Sequence, residues 1–224
     1  MTIAIRTLSM LVLAGALSAC GLLSGLIPDQ EVSDPFRLDG ARVTLAADTD
    51  EVTTLDGPAV GSVVGTIDGV FEVDDNELPS WIADAVRIRS VSGGIGLEPL
   101  VTLNAPDGAD LPQALTIVGA SIAFEVSSGG NARFGGEWSS GELEVVLSAT
   151  EPCSSTCTYV VTPSDEALLT VLITGSEARA YGQLVATPGE YELEGEVRLD
   201  LDVDLPDGTT VAITLKDFGG VVSF

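Results

Sequence analysis

An antiparallel all-β fold is what this 224-residue sequence predicts, on three observations. Apolar residues recur at every second position in segment after segment, and turn-forming clusters punctuate those segments. The intervals between clusters leave no room for repeated crossover helices, which parallel pairing would need. About ten or eleven strands packed as a β-sandwich fit this pattern, with an open or partly closed antiparallel β-barrel as the alternative.

The elements follow in order along the chain. Phe36 and Leu38 open the first strand directly after Pro35. Val43 and Leu45, Val86 and Ile88, Val101 and Leu103 come next, then Ile122, Phe124 and Val126, then Leu143, Val145 and Leu147, then Tyr159 and Val161. Mostly polar or small residues separate the members of each set, as half-buried strands require. Breakers stand at Asp56-Gly57-Pro58, Ser92-Gly93-Gly94, Pro106-Asp107-Gly108, Ser128-Gly129-Gly130, Pro188-Gly189 and Pro206-Asp207-Gly208. A single helix is expected, a turn or two from Ser80 to Ala85 with Ser80 as N-cap.

The longest alternation lies near the C-terminus. Tyr191, Leu193, Val197, Leu199, Leu201, Val203 and Leu205 share one face, with Gly195 in the gap as the expected bend or bulge. Glu190, Glu192, Glu194, Glu196, Arg198, Asp200, Asp202 and Asp204 share the other. Pro206-Asp207-Gly208 suits a type I turn with Gly in the left-handed position, so a hairpin pairing Leu205 with Thr209 and Val203 with Val211 is expected. Val211, Ile213 and Leu215 then fall on the apolar face.

The N-terminus reads differently. Arg6 is the one positive side chain among the first 36 residues, and Thr7–Ala19 is largely apolar, ending in Leu17, Ser18, Ala19 and Cys20. A short basic region, an apolar core and small residues at the end describe a secretory leader. The Leu-Ser-Ala-Cys ending is similar to the cleavage motif of bacterial lipoprotein precursors, a resemblance confined to residues 1–20. It implies a signal peptide over 1–19, lipidation of Cys20 by a diacylglycerol, and an acyl anchor such as palmitate at the new amino terminus. Gly21 in place of Asp favours the outer membrane where there are two. Extending the apolar run to Ile27 allows a transmembrane span instead; either way the rest of the chain lies outside the cytoplasmic membrane. Residues 20–35, with Gly, Ser, Pro and scattered acids, read as a tether, and 36–224 as a single all-β domain.

Charge narrows the partners. The chain carries 34 acidic against nine basic residues, and losing Arg6 with the leader takes the formal charge from −25 to −26. A field of that sign disfavours nucleic acid and anionic headgroups. Solubility or a saline exterior explains the excess, and attraction of cations or a basic partner is the functional alternative. The Asp200-x-Asp202-x-Asp204 row projects in parallel from an extended strand and does not converge on an ion, so no metal is expected there.

Catalytic options are few. Without His there is no Ser-His-Asp or Cys-His apparatus, and Lys216 is the one side-chain amine. Carboxylate pairs, as in glycoside hydrolysis, are what remains, and 34 acids single out none of them. No catalytic residue and no cofactor is assigned. In an exported chain Cys153 and Cys157 are expected to form a disulfide, a Cys-based metal site being short of two ligands. Trp81 and Trp138, with Phe134 nearby, are candidates for a stacking platform for a glycan, against the simpler reading of core aromatics with Gly136 making room for a ring. The function expected is a membrane-anchored, non-enzymatic binding or structural module of the cell envelope, with a protein, glycan or lipid as ligand. Carriage of a lipid or other hydrophobic ligand inside an open barrel is the alternative, and a carboxylate-pair hydrolase the second.

Overall fold

The computed structural model describes residues 28–48, 61–73, 88–128, 131–165, 167–185 and 187–224. Among these residues the fold is all-β and antiparallel, with β1 (Gln30–Val32), β2 (Arg42–Asp48), β3 (Gly61–Val73), β4 (Ser90–Leu97), β5 (Leu100–Asn104), β6 (Ala114–Ser128), β7 (Asn131–Ser139), β8 (Val145–Ala149), β9 (Thr156–Thr162), β10 (Leu169–Thr174), a helix α1 (Gly175–Val185), β11 (Gly189–Leu201) and β12 (Thr210–Ser223). The twelve strands form one sheet in the order β10-β4-β12-β2-β3-β11-β6-β8-β9-β5, with β1 on β12 and β7 on β6. Three residue pairs between β5 and β12, Thr102 with Ala212 through Asn104 with Thr210, join distant parts of that path. The sheet thereby doubles over into a sandwich stitched along one side; β1, β4, β7 and β10 lie off the circuit, so it is not a regular barrel.

Side chains from both arms of the doubled sheet meet in one continuous core. Val63, Leu97, Val101, Leu103, Leu115, Leu147, Leu199, Leu201, Leu205, Val211 and Ile213 enclose a residual space of only about 10 Å³, roughly enough for one water. Burial of each such aliphatic side chain contributes about 1.5–3 kcal/mol, so this filled interior holds the two layers together.

Inward and outward parity follows the alternation read from the sequence, but several pairings do not. Tyr191, Leu193, Val197, Leu199 and Leu201 are buried while Glu190, Glu192, Glu194 and Glu196 are exposed. The expected hairpin, however, does not form. β11 ends at Leu201 and pairs with β3 and β6, whereas β12 pairs with β1, β2, β4 and β5. The Pro206-Asp207-Gly208 turn is present, with Gly208 at φ +80° and the Thr209 N–H donating to Pro206 O at 3.0 Å. Its two arms diverge because Asp202 is drawn to β6: its N–H donates to Thr116 O and its side chain accepts the Thr116 N–H. The apolar rows of β11 and β12 therefore meet across the interior instead of side by side.

Gly195 is neither bend nor bulge. It lies mid-strand, where a Cβ would sit 2.5 Å from Ala123 O and 2.8 Å from Phe124 Cβ; the register shift falls between Asp200 and Leu201. Gly93 and Gly94, expected to break a strand, lie inside β4, where the Phe36 ring and Ala167 occupy the space a side chain would need. Phe36 and Leu38 are buried as expected but sit in a turn, and the first strand is Gln30–Val32, inside the stretch read as tether. Helix α1 was not anticipated; Ala178, Tyr181, Gly182 and Leu184 form its buried face. Val86, Asp56-Gly57-Pro58 and the helix expected from Ser80 to Ala85 lie outside the described residues.

Candidate functional site

Four strands, β3, β11, β6 and β7, run side by side and expose a broad acidic face. Period-two alternation puts it there: with Tyr191, Leu193 and Val197 turned into the core, the glutamates between them must face water. Register then lines up carboxylates from different strands. Glu194 stands between Asp68 on β3 and Glu125 on β6, Glu190 stands opposite Glu72, and Glu196 stands next to Ala123, which faces Glu137 on β7. Along the Gly195 backbone the face holds an open hollow of about 650 Å³ rimmed by Asp68, Glu125, Glu194 and Glu196.

The acids nearer the end of β11 have partners. Asp200 accepts a hydrogen bond from Arg198 Nε at 3.0 Å, and Asp202 accepts the Thr116 N–H at 2.7 Å. Among the described residues no three His, Cys, Asp or Glu side chains are placed to hold a metal ion.

Trp138 is half-buried, lying over Gly136, whose missing side chain leaves room for the indole, and packing on Phe124 at 5.0 Å between ring centroids. Phe124 in turn meets Phe134 edge-on at 5.6 Å, and Phe134 meets Tyr181 of α1. This is the arrangement of core aromatics. Trp81, the other member of the suggested platform, lies outside the described residues, as does Cys20.

Cys153 and Cys157 form the expected disulfide, with Cα atoms 5.4 Å apart. The buried Tyr159 runs beneath it, its hydroxyl donating to Pro112 O and lying 3.6 Å from Cys153 Sγ. Burial pushes the phenol up from its ordinary pKa. Lys216 sets its ammonium 4.9 Å from the centre of the Phe218 ring, a cation–π contact.

One ionisable cluster was missed by the sequence reading. Asp217 is buried at the inward-facing position that follows Val211, Ile213 and Leu215. Its carboxylate accepts N–H bonds from Phe36 at 3.2 Å and Gly219 at 3.0 Å. Burial first, then the Asp34 carboxyl, push Asp217 up to about 7 against the pull of the two N–H groups. Asp34 accepts the Leu38 N–H at 3.1 Å, and Asp39 accepts the Asp217 N–H at 3.2 Å. The readable signal was an acid in an otherwise apolar inward row. Asp34 and Arg37 also border a groove of about 420 Å³ floored by Val32, Ile88, Val185, Val222 and Phe224.

No family model matches the chain, and no curated protein does. Among solved structures, the CBM2 module of the evolved Dit of Lactobacillus casei BL23 phage J-1 overlaps 88% of this chain and 97% of its own at 8% identity, with a TM-score of 0.23. Rv0315 of Mycobacterium tuberculosis, described as an immunostimulatory antigen and pseudo beta-1,3-glucanase, overlaps 88% and 98% at 9% identity and a TM-score of 0.18. Its Mycobacterium abscessus ortholog, described as a β-glucanase, overlaps 87% and 99% at 11% identity, again with a TM-score of 0.18. Overlaps this loose assign neither an activity nor a ligand, and the chain stands as an all-β module on its own geometry.

Proposed function

We propose that the chain is a lipoprotein of the cell envelope, held by acyl chains on Cys20, whose β module acts through its surface as a non-enzymatic binding or structural unit. The observation that carries the second half is the filled interior. Among the described residues only about 10 Å³ is left between those aliphatic side chains, which supports a role through the surface over carriage of an acyl chain between the sheets. The Leu17-Ser18-Ala19-Cys20 ending supports the anchor, and the Cys153–Cys157 disulfide fits an oxidising compartment beyond the cytoplasmic membrane. Two or three acyl chains satisfy the two-signal requirement for stable attachment.

Replacing the acyl acceptor tests the anchor. Cys20→Ser is expected to leave an uncleaved precursor without lipid that stays out of the detergent phase on partitioning. Processing to the same mature length with retention in detergent would overturn the reading. Mass spectrometry of lipid extracted from the purified mature domain tests the second half: stoichiometric copurifying lipid would restore the carrier.

A further inference from the structure

We propose that the outer edge of β3 docks a basic, extended segment of a partner protein, which joins the sheet as one more strand and sets lysine or arginine beside Asp68 and Glu72. The inference deepens the reading of the module as a unit that binds through its surface, and rests on it. β2 accompanies β3 only from Ser62 to Val64. Beyond Val64, β3 pairs with β11 alone among the described strands, so along residues 66–73 every second residue turns its N–H and C=O to the side away from β11. That stretch lies open: Thr66, Asp68, Gly69, Val70 and Glu72 are all exposed. An edge of this kind holds an added strand by main-chain hydrogen bonds, and side chains at alternate positions select which strand it is.

The selecting row is Asp68, Val70 and Glu72. Period two places them on the outer face, where β11 sets Glu194, Glu192 and Glu190 beside them in turn. Val70, 64% exposed, is the most exposed large apolar side chain among the described residues, and it stands between the two acids. An incoming strand gains most with an apolar residue opposite Val70 and a basic residue two positions away on each side. That pattern reads the same in both directions, so it suits parallel and antiparallel addition alike. A second copy of this chain is a poor occupant, because β3 paired with itself about Val70 sets Asp68 against Glu72 twice, and directly opposed like charges destabilise a sheet. Glu125 and Glu137, on β6 and β7, extend the same sign across the face, which draws a basic partner to this side and turns an acidic one away.

The probe is the end-blocked peptide Thr-Lys-Thr-Val-Thr-Lys-Thr. Its comparison, Thr-Thr-Lys-Val-Lys-Thr-Thr, has the same composition but turns the lysines to the face opposite the valine. With the full-length protein in neutral detergent micelles near physiological salt, the first peptide is expected to bind at least about fivefold more tightly than the second by calorimetry, since two cross-strand charge pairs separate them. Amide hydrogen exchange at alternate positions of residues 66–73 is expected to slow at least about fivefold under saturating peptide, with no change on β7. Asp68→Lys combined with Glu72→Lys, both at exposed positions, is expected to keep the circular dichroism of the parent and to reverse the preference, favouring a version of the first peptide with Glu in place of Lys. Should that variant fail to fold, the exchange map of the unaltered protein decides. Equal binding of the two lysine peptides, protection that misses residues 66–73, or no binding of the first peptide at millimolar concentration would each overturn the docking edge. The reading of a surface-acting module fails on a different measurement, copurifying lipid.

Discussion

Asp202 and Thr116 are joined by two hydrogen bonds running in opposite senses: the Asp202 side chain accepts the Thr116 N–H at 2.7 Å, and the Asp202 N–H donates to Thr116 O at 3.0 Å. The first is charge-assisted and half-buried. Asp202→Ala is expected to destabilise the domain by about 1–3 kcal/mol in urea denaturation, and Asp202→Asn, which keeps an acceptor oxygen, by less. An Asp202→Ala variant as stable as the parent would show that β11 turns toward β6 for another reason.

Two glycines on neighbouring strands should respond oppositely to the same change. A Cβ on Gly195 runs into Ala123 O and Phe124, and backbone oxygen cannot be moved cheaply, whereas a Cβ on Gly69 meets nothing within 4 Å. Gly195→Ala is expected to cost about 2–4 kcal/mol and Gly69→Ala to stay within about 0.5 kcal/mol. Thermal unfolding of the two single variants makes the comparison; equal melting temperatures would refute it.

Opening the small disulfide ring should cost little. Loop closure over so short a segment is worth roughly 2 kcal/mol, and Tyr159 stays buried by its own packing beneath it. The reduced, alkylated protein is expected to remain folded with a lower melting temperature. Intact mass before and after alkylation reports the bond, and loss of near-UV circular dichroism on mild reduction would contradict the expectation.

On the acidic face, Glu194 has Asp68 on one side and Glu125 on the other. Glu194→Lys turns two repulsive cross-strand neighbours into attractive ones and is expected to stabilise the domain by up to about 1 kcal/mol at low salt. The gain should shrink as salt approaches physiological strength, where the Debye length is about 8 Å. Sodium and calcium at matched ionic strength are expected to raise the melting temperature of the unaltered domain alike. A specific excess for calcium would reveal an ion site on this face.

Side-chain parity was legible in the sequence because a period of two is a local property: Tyr191, Leu193, Val197, Leu199 and Leu201 face inward as their spacing required. Partner choice was not. A well-formed Pro-Asp-Gly turn between two apolar alternations invites a hairpin, yet its arms part because Asp202 finds Thr116, a partner 86 residues away. Glycines misled in the same way. Gly93 and Gly94 read as punctuation, but tertiary contacts with Phe36 and Ala167 are what demand them. Helix α1 hid its 3.6-residue period among Gly175 and Gly182, which lower helix propensity, in a chain dominated by strands. Asp217 was visible as an acid in an apolar row, but Asp34, which helps push it up, sits in a turn, where an aspartate attracts no notice.

Pairing of Gln30 with Val222 has a consequence for how the molecule stands. It sets the first described strand beside the last, while Thr210, the other end of β12, lies up to about 40 Å away along the strand. There the two Pro-Asp-Gly turns sit against each other, Pro106 Cγ being 3.2 Å from where a Cβ on Gly208 would be. The two ends of β12 therefore have different company: the first described strand lies along one, and the paired Pro-Asp-Gly turns close the other.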